Sequence, residues 1–279
     1  MPQFSWVNEI AGNQAPLFFI LGPCVMEDRD STLVLAELAK QLSEKLKIKV
    51  IFKGSFDKAN RTALQNFRGV SVDDGLAVLS EIRTQFELPV MTDVHETAHV
   101  AAVGQVVDVL QIPAFLCRQT DLLCAAGKTG KPVNVKKGQF EAPESMQHAI
   151  KKVESVGNQN AWLCERGYSF GYHNVVVDYR NFSIMKAFNR PVVFDVTHSV
   201  QRPGGLGGAS GGDRAMIADL AAAAISQRIA GLYMMIHNEP EKAQCCGPVS
   251  VRTSQVESLL SYLIDLDTWV KSHPMPEVW

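Results

Sequence analysis

The chain has 279 residues, of which 46% are hydrophobic, and its formal net charge is -2. This length fits one large α/β barrel as well as two ordinary domains, and the apolar fraction is ample for a buried core. The near-neutral charge gives no overall attraction to nucleic acid or to a membrane surface, so we expect neither as a partner. The six cysteines show no paired Cys-x-x-Cys motif, which favours reduced thiols and a cytoplasmic protein over a disulfide framework.

Short apolar runs alternate with helical patterns along the chain. The first run, 17–22, precedes a predicted helix at 31–46, which has leucines at helical spacing and Asp30 or Ser31 as its N-cap. Seven more strands are predicted at 49–53, 88–93, 107–112, 132–136, 161–165, 192–196 and 231–236, and further helices at 73–86, 119–127, 143–155, 213–229 and about 252–270. The alternation predicts a single-domain (β/α)8 TIM barrel over residues 1–279, with residues 1–15 as an amino-terminal cap.

Basic residues stand at or just past the ends of several predicted strands. In a (β/α)8 barrel the carboxyl ends of the strands build the active site. Any one of these residues could be a surface charge with a buried stem, but their joint placement predicts a cleft for small phosphorylated substrates. The set is Lys53, Lys58, Arg61, Lys136, Lys137, Arg166 and His198.

Polar groups at other strand ends add to this predicted cleft. Gln111 ends the fourth strand, and the following turn around Ala114 can supply backbone donors. Asp93 ends the third strand beside His95 and Glu96, which brings acid–base groups to the same mouth. The glycine-rich stretch 203–212 after the seventh strand is either a flexible loop or a phosphate-binding loop that includes Ser210.

Cys24 follows the first predicted strand and His198 follows the seventh. A closed barrel brings these strand ends near each other, because the first and eighth strands meet. A thiolate and an imidazole are suitable ligands for a divalent metal ion. The alternative is a buried thiol and a hydrogen-bonded histidine without a metal.

Several longer strings resemble one enzyme family, the 3-deoxy-D-manno-octulosonate 8-phosphate synthases (2-dehydro-3-deoxyphosphooctonate aldolases). They are Phe-Lys-Gly-Ser-Phe-Asp-Lys-Ala-Asn-Arg-Thr at 52–62, Thr-Asp-Val-His-Glu at 92–96, Asn-Val-Lys-Lys-Gly-Gln-Phe at 134–140 and Phe-Asp-Val-Thr-His-Ser-Val-Gln at 194–201. The family condenses phosphoenolpyruvate with arabinose 5-phosphate and water on a (β/α)8 barrel and releases phosphate, in lipopolysaccharide precursor biosynthesis. The resemblance implies the same fold and reaction here.

The resemblance also implies a division of the site between two substrates. Family tetramers share the sugar-binding motif across a subunit boundary, so a homotetramer is implied. The residue before Arg61 separates this family from the sister heptulosonate 7-phosphate synthases, which use erythrose 4-phosphate and carry Pro-Arg-Thr; their activity is an alternative. Arabinose 5-phosphate would meet Asn60, Arg61 and Thr62, and phosphoenolpyruvate would meet Lys53, Lys58, Gln111, Ala114, Lys136 and Arg166.

Metal-dependent members of the family carry a cysteine at the position of Cys24, and their other ligands are a histidine, a glutamate and an aspartate. This chain keeps His198 but has Met235 and Cys246 at the positions of the two carboxylates. One interpretation is a softer site of Cys24, His198 and Cys246, with Met235 weak or absent, that favours zinc or a similar ion. The other is a metal-free or impaired barrel.

For catalysis we expect Lys136 to stabilise charge or to donate a proton, with Asp93 as a further acid–base group. A metal ion at Cys24 and His198 would polarise the sugar aldehyde or orient water. Two alternatives remain open from the residues. One is a Schiff-base aldolase with Lys53 or Lys136 as its nucleophile. The other is a non-catalytic phosphosugar-binding barrel, suggested by the missing carboxylate ligands.

Overall fold

The computed structural model describes residues 4–10 and 12–276. Eight buried parallel strands each pair with the next along the chain, and the eighth pairs with the first, with Phe18 opposite Gly231 and Gly22 opposite Met235. This closed barrel confirms the predicted fold, and every predicted strand is found to within two residues. The strands are β1 Phe18–Gly22, β2 Val50–Lys53, β3 Val90–Asp93, β4 Val109–Ile112, β5 Val133–Lys136, β6 Ala161–Glu165, β7 Val192–Asp195 and β8 Gly231–His237.

One helix follows each barrel strand on the outside of the barrel. These helices are α1 Arg29–Leu46, α2 Val72–Gln85, α3 Val100–Val106, α4 Thr120–Lys128, α5 Met146–Glu154, α6 Arg180–Lys186, α7 Ile217–Ser226 and α8 Thr253–Ser272. Short helices Ser5–Asn8 and Val196–Ser199 lie outside this alternation. The alternation predicted helices between the strands but gave no bounds for α3 and α6, because two turns of helix are too short to show a clear periodicity.

The predicted N-cap of the first helix was wrong. The helix begins at Arg29, and the side chain of Asp28 accepts a hydrogen bond from the Ser31 amide at 2.8 Å. Asp30 and Ser31 therefore lie inside the first turn. Asp28 has the extended backbone and the short acidic side chain that an N-cap position favours.

The described part of the predicted amino-terminal cap packs against the barrel. Val7 is buried, and the Trp6 ring lies 6.5 Å from the Phe18 ring and 5.2 Å from the Lys49 ammonium. Phe18 begins β1 and Lys49 precedes β2, so both mark the amino-terminal end of the barrel. Residues 1–3 and 11 of the cap lie outside the described residues. The cap, and the single domain over 1–279, stay predictions.

The loops at the opposite, carboxyl-terminal end carry two short antiparallel ribbons. Tyr168–Ser169 pairs with Val175–Val176, and Gln201–Arg202 pairs with Gly211–Gly212. The glycine-rich stretch predicted as a loop is therefore the tip of a ribbon after β7. None of the helices in 4–10 and 12–276 has the length and apolar content needed to cross a membrane.

Candidate active site

A cavity of ≈ 400 Å³ opens at the carboxyl-terminal end of the barrel. It is lined by the residues predicted for the site, with the exception of Glu96, Gln111, Lys137 and Met235. Among its lining residues are five lysines and arginines but a single carboxylate, that of Asp93. Such a concentration of positive charge in a concave, partly desolvated space suits small anions with several charges.

The cations of this cavity lie at two depths. Lys53, Lys136 and Arg166 are only 1%, 7% and 5% exposed. Arg61 is only partly buried, and its neighbours Asn60 and Thr62 are exposed. The first three residues end β2 and β5 or follow β6, so the barrel strands hold them rigidly. The motif 60–62 belongs to the irregular loop after β2. The structure thus separates an inner cationic pocket from an outer polar rim.

Asp93 is the anionic centre of the inner pocket. Its Oδ2 atom lies 2.9 Å from Lys53 Nζ and 3.5 Å from Lys58 Nζ, and the Ser55 hydroxyl donates to the same oxygen. Burial alone would raise the pKa of Asp93, but Lys53 and Lys58 hold it well below its usual range. Burial also lowers the pKa of Lys53 to about 8, although Asp93 opposes this shift.

Gln111 does not line the cavity but fixes the direction of Asp93. Its Nε2 atom donates to Asp93 Oδ1 at 2.6 Å, and its Oε1 atom accepts from Asn134 Nδ2 at 2.9 Å. Both polar ends of this buried amide are therefore engaged within the protein. The predicted contact between Gln111 and a substrate stays a prediction, and the geometry supports an indirect role through Asp93.

Lys136 and His198 meet at Asp195, a fully buried residue that the sequence analysis missed. The Asp195 carboxylate contacts Lys136 Nζ, accepts from His198 Nδ1 at 2.7 Å, and caps the short helix Val196–Ser199. Burial alone would raise the pKa of Asp195, but His198 and Lys136 hold it well below its usual range. The available signal was its place at the end of β7, inside the Phe-Asp-Val-Thr-His string.

Tyr233 packs against the same polar residues and was also missed. Its ring stacks on His198 at 6.0 Å, and Lys53 and Lys136 place their ammonium groups 5.3 and 5.1 Å from the ring centre. The ring is fully buried in β8. An aromatic face of this kind stabilises cations in a site from which water is excluded.

Arg166 and Lys137 each directly follow a barrel strand, but only Arg166 lines the cavity. Arg166 donates from Nη2 to Gln201 at 3.2 Å, and its buried Nη1 has no hydrogen-bond partner within the described chain, so a donor remains for an anion. Lys137 turns away from the cavity. It lies 3.5 Å from the Glu165 carboxylate and 3.6 Å from the centre of the Tyr168 ring.

Cys24, His198 and Cys246 form a group that can hold a metal ion. One donor atom from each lies within 4.8 Å of the other two. Because His198 Nδ1 is engaged by Asp195, its Nε2 atom is the free donor, and this atom lies 3.9 Å from Cys246 Sγ. Two sulfurs and an imidazole nitrogen suit zinc better than a hard cation. Met235 is fully buried in β8 and does not line the cavity.

The position of Cys24 depends on Gly22, which ends β1. Gly22 has φ of +153°, and a Cβ atom there would lie 2.0 Å from the carbonyl oxygen of Lys53. Only glycine allows β1 and β2 to meet this closely before the chain turns to Cys24. Hydrogen bonds with the thiols of Cys245 and Cys246 are the main reason why the pKa of Cys24 is lowered.

Cys245 lines the cavity beside Arg61, and the sequence analysis did not place this cysteine in the site. Arg61 Nη1 lies 2.8 Å from the Cys245 sulfur, and Nη2 donates to the Gln244 carbonyl at 3.3 Å. Arg61 Nε is buried and has no hydrogen-bond partner among residues 4–10 and 12–276. The guanidinium group is therefore held at the cavity edge with a donor to spare. Ser210 lines the same cavity.

Fold and site together define a (β/α)8 barrel whose mouth is lined with cations. The profile of the DAHP synthetase I family matches residues 3–272. Relatives named 2-dehydro-3-deoxyphosphooctonate aldolase include one from Desulfatibacillum aliphaticivorans, 52% identical over 92% of this chain and 94% of its own length. Another, from Francisella tularensis subsp. holarctica, is 48% identical over 97% of this chain and 98% of its own length. The chain therefore belongs to the DAHP synthetase I family and, within it, to the 2-dehydro-3-deoxyphosphooctonate aldolases, which confirms the resemblance of its motifs.

Proposed function

We propose that the protein condenses phosphoenolpyruvate with D-arabinose 5-phosphate and water, forming 3-deoxy-D-manno-octulosonate 8-phosphate and phosphate. The observation that carries this proposal is the two-level cluster of cations in one cavity, because two phosphorylated substrates need two anion sites beside each other. The curated relatives, which share about half of the sequence, carry the name of this activity.

The depth of each residue suggests which substrate it meets. The inner pocket of Lys53, Lys136 and Arg166 would hold the carboxylate and phosphate of phosphoenolpyruvate, with Lys58 and Ala114 along the same wall. The outer rim would hold the phosphate of the sugar through Asn60, Arg61, Thr62 and Ser210. Binding of the two substrates at these two depths would place the enol carbon of phosphoenolpyruvate beneath the sugar aldehyde. Such positioning supplies much of the rate enhancement.

The reaction forms a bond between carbon 3 of phosphoenolpyruvate and the aldehyde carbon, while water adds to carbon 2 and phosphate leaves. Lys136 would stabilise the negative charge that develops during this step or donate a proton to it. Asp195 contacts the ammonium group of Lys136 and holds it in place. A metal ion held by Cys24, His198 and Cys246 would supply a Lewis acid that polarises the aldehyde or orients water.

The test is release of phosphate from phosphoenolpyruvate and arabinose 5-phosphate, in metal-free buffer and with each divalent ion added back. We expect release that depends on arabinose 5-phosphate and is much weaker with erythrose 4-phosphate. A preference for erythrose 4-phosphate would indicate the sister activity. Binding of both ligands without release would indicate a non-catalytic barrel, and an adduct trapped by borohydride would indicate a Schiff-base aldolase.

Replacing Arg61 with alanine should weaken the binding of arabinose 5-phosphate far more than the binding of phosphoenolpyruvate. Loss of a charge-assisted contact to phosphate is worth about 2–3 kcal/mol, or roughly 30- to 150-fold in Kd. Calorimetric titration with each ligand measures both effects. Arg68→Ala is the matched control, since Arg68 lies in the same loop, pairs with Asp57 and does not line the cavity. An equal loss for both substrates would contradict the assignment of Arg61 to the sugar.

The affinity for phosphoenolpyruvate should fall as the pH rises through about 8. Burial lowers the pKa of Lys53 to about 8, so its ammonium group becomes neutral above that pH and no longer attracts the anion. Calorimetry between about pH 7 and pH 9.5 should also show proton uptake on binding above pH 8. In Lys53→Met the affinity should be lower but independent of pH over this range. An unchanged slope in that variant would assign the titration to another group.

We also propose that the protein acts as a homotetramer in the cytoplasm. All six cysteines are free thiols, as expected in a reducing compartment. Five large apolar side chains on the loops after β4 to β7 are more than half exposed, and exposed apolar clusters commonly mark protein interfaces. They are Phe115, Phe140, Phe170, Tyr172 and Leu206. Light scattering of the purified protein tests the assembly, and a monomer at working concentration would contradict it.

A further inference from the structure

A third thiol adjoins the candidate metal group of Cys24, His198 and Cys246. The sulfur of Cys245 lies 3.2 Å from that of Cys24 and 3.5 Å from that of Cys246. Cys24 follows β1 and the other two cysteines follow β8, so the closure of the barrel brings the three together. Cys24 and Cys245 are buried and Cys246 is partly buried.

A backbone turn allows the side chains of two consecutive residues, Cys245 and Cys246, to lie on the same side of the chain. Side chains of neighbouring residues in an extended chain point in opposite directions. Cys246 instead has a left-handed backbone with φ of 56°, which a residue other than glycine adopts only when its surroundings impose it. Its carbonyl group accepts from the Val249 amide at 3.1 Å and from the Ser250 hydroxyl at 3.0 Å, and these bonds fix the turn.

The separations of the sulfurs are slightly shorter than those of thiolates that share one ion. Two thiolates bound to a tetrahedral zinc ion at about 2.3 Å lie about 3.8 Å apart. To reach that distance, the Cys245 sulfur would move about 0.6 Å away from that of Cys24 and about 0.3 Å away from that of Cys246. His198 Nε2, at 3.9 Å from Cys246 Sγ, already has the separation of two ligands of one ion.

The charge around the group can accommodate a third thiolate. Three thiolates and one divalent ion carry a net charge of minus one. Arg61 Nη1 lies 2.8 Å from the Cys245 sulfur and supplies a compensating positive charge. Lys58 lines the same cavity.

We propose that Cys245 is a ligand of the metal ion, in a centre of three thiolates and one imidazole that is selective for zinc or another thiophilic divalent ion. The proposal rests on the metal site proposed above and adds a ligand to it. Three sulfurs make the centre much softer than one built from two carboxylates, and such a donor set strongly disfavours manganese and magnesium.

Cobalt(II) tests the ligand count directly, because each cobalt–thiolate bond adds charge-transfer absorption in the near ultraviolet. The metal-free full-length protein is titrated with cobalt(II) in the presence of a phosphine reductant, which keeps the thiols reduced without binding as a thiol would. In Cys245→Ala and in Cys246→Ala the absorption per bound cobalt should fall by about a third relative to the unchanged protein. Cys124→Ala is the control, since Cys124 lies on α4 outside the cavity, and its absorption should not change.

Cys245→Ser is a second variant in case the alanine variant folds poorly, because a hydroxyl does not give the thiolate band. An unchanged absorption in both Cys245 variants, together with a loss in Cys246→Ala, would overturn the role of Cys245 and leave the three-residue site intact. Absence of any thiolate band in the unchanged protein would overturn both. Neither result depends on turnover, which the phosphate-release assay measures separately.

Discussion

Lys136→Met should lower kcat about 10²- to 10⁴-fold, the range expected when a positioned acid or charge-stabilising group is lost. Lys136 belongs to the inner pocket and contacts Asp195. Its Nζ atom lies 3.3 Å from His198 Nδ1, beside the proposed reaction centre. Methionine keeps most of the length of the side chain but neither the charge nor the proton. The effect should appear mainly in kcat, with a smaller rise in the KM for phosphoenolpyruvate.

The steady-state kinetics of Lys136→Met need two controls. Lys128→Met removes an exposed lysine on α4 and should leave kcat unchanged. Lys136→Arg keeps the charge and should restore part of the activity if charge stabilisation dominates, but little if proton donation does. A kcat within tenfold of the unchanged protein would show that Lys136 has only a binding role.

Asp195→Asn should lower the free energy of unfolding by about 3–5 kcal/mol, because it leaves the buried ammonium group of Lys136 without its carboxylate. The same carboxylate orients His198 through Nδ1, and loss of such a partner weakens metal binding about 10- to 100-fold. Urea unfolding measures the first effect, and competition with a chelator measures the second. A variant that loses stability but keeps its metal affinity would show that Asp195 does not position His198.

Asp178→Asn is the matched control for this variant. Asp178 forms an ion pair with Arg180 on the surface, and exposed pairs of this kind contribute about 0–1 kcal/mol. The pH dependence gives an independent check on Asp195. Its pKa is held below the usual range, so its stabilisation is present above about pH 4 and is lost as the pH falls through the folded-state pKa. The unchanged protein should therefore lose more stability on acidification than Asp195→Asn does.

Much of the fold was predictable from the sequence because parallel barrel strands are buried on both faces and read as continuous apolar runs. The same regularity located the mouth of the site. All eight carboxyl ends lie at one end of the barrel, so Lys53, Asp93 and Lys136 had to converge there. Closure of the barrel likewise placed Cys24 near His198.

Other features depended on directions and distances that no local pattern carries. Lys136 and Lys137 are adjacent and alike in sequence, yet the first enters the cavity and the second turns to Glu165, because successive residues at the end of β5 point to opposite faces. Tyr233 was indistinguishable from an ordinary member of a buried strand, and the position of Asp195 at the end of β7 did not show which side chains it pairs with. Their roles come from neighbours on other strands.

The sequence by itself therefore determined the barrel, the set of cations at its mouth and the family of the protein, because these follow from periodicity and from strings of residues. Only the tertiary structure decided how the charges pair and which thiols meet. The left-handed turn at Cys246 brings Cys245 beside Cys24, which is 221 residues away along the chain. Contacts between residues so distant in sequence depend on the closure of the barrel, and no segment of the chain encodes them alone.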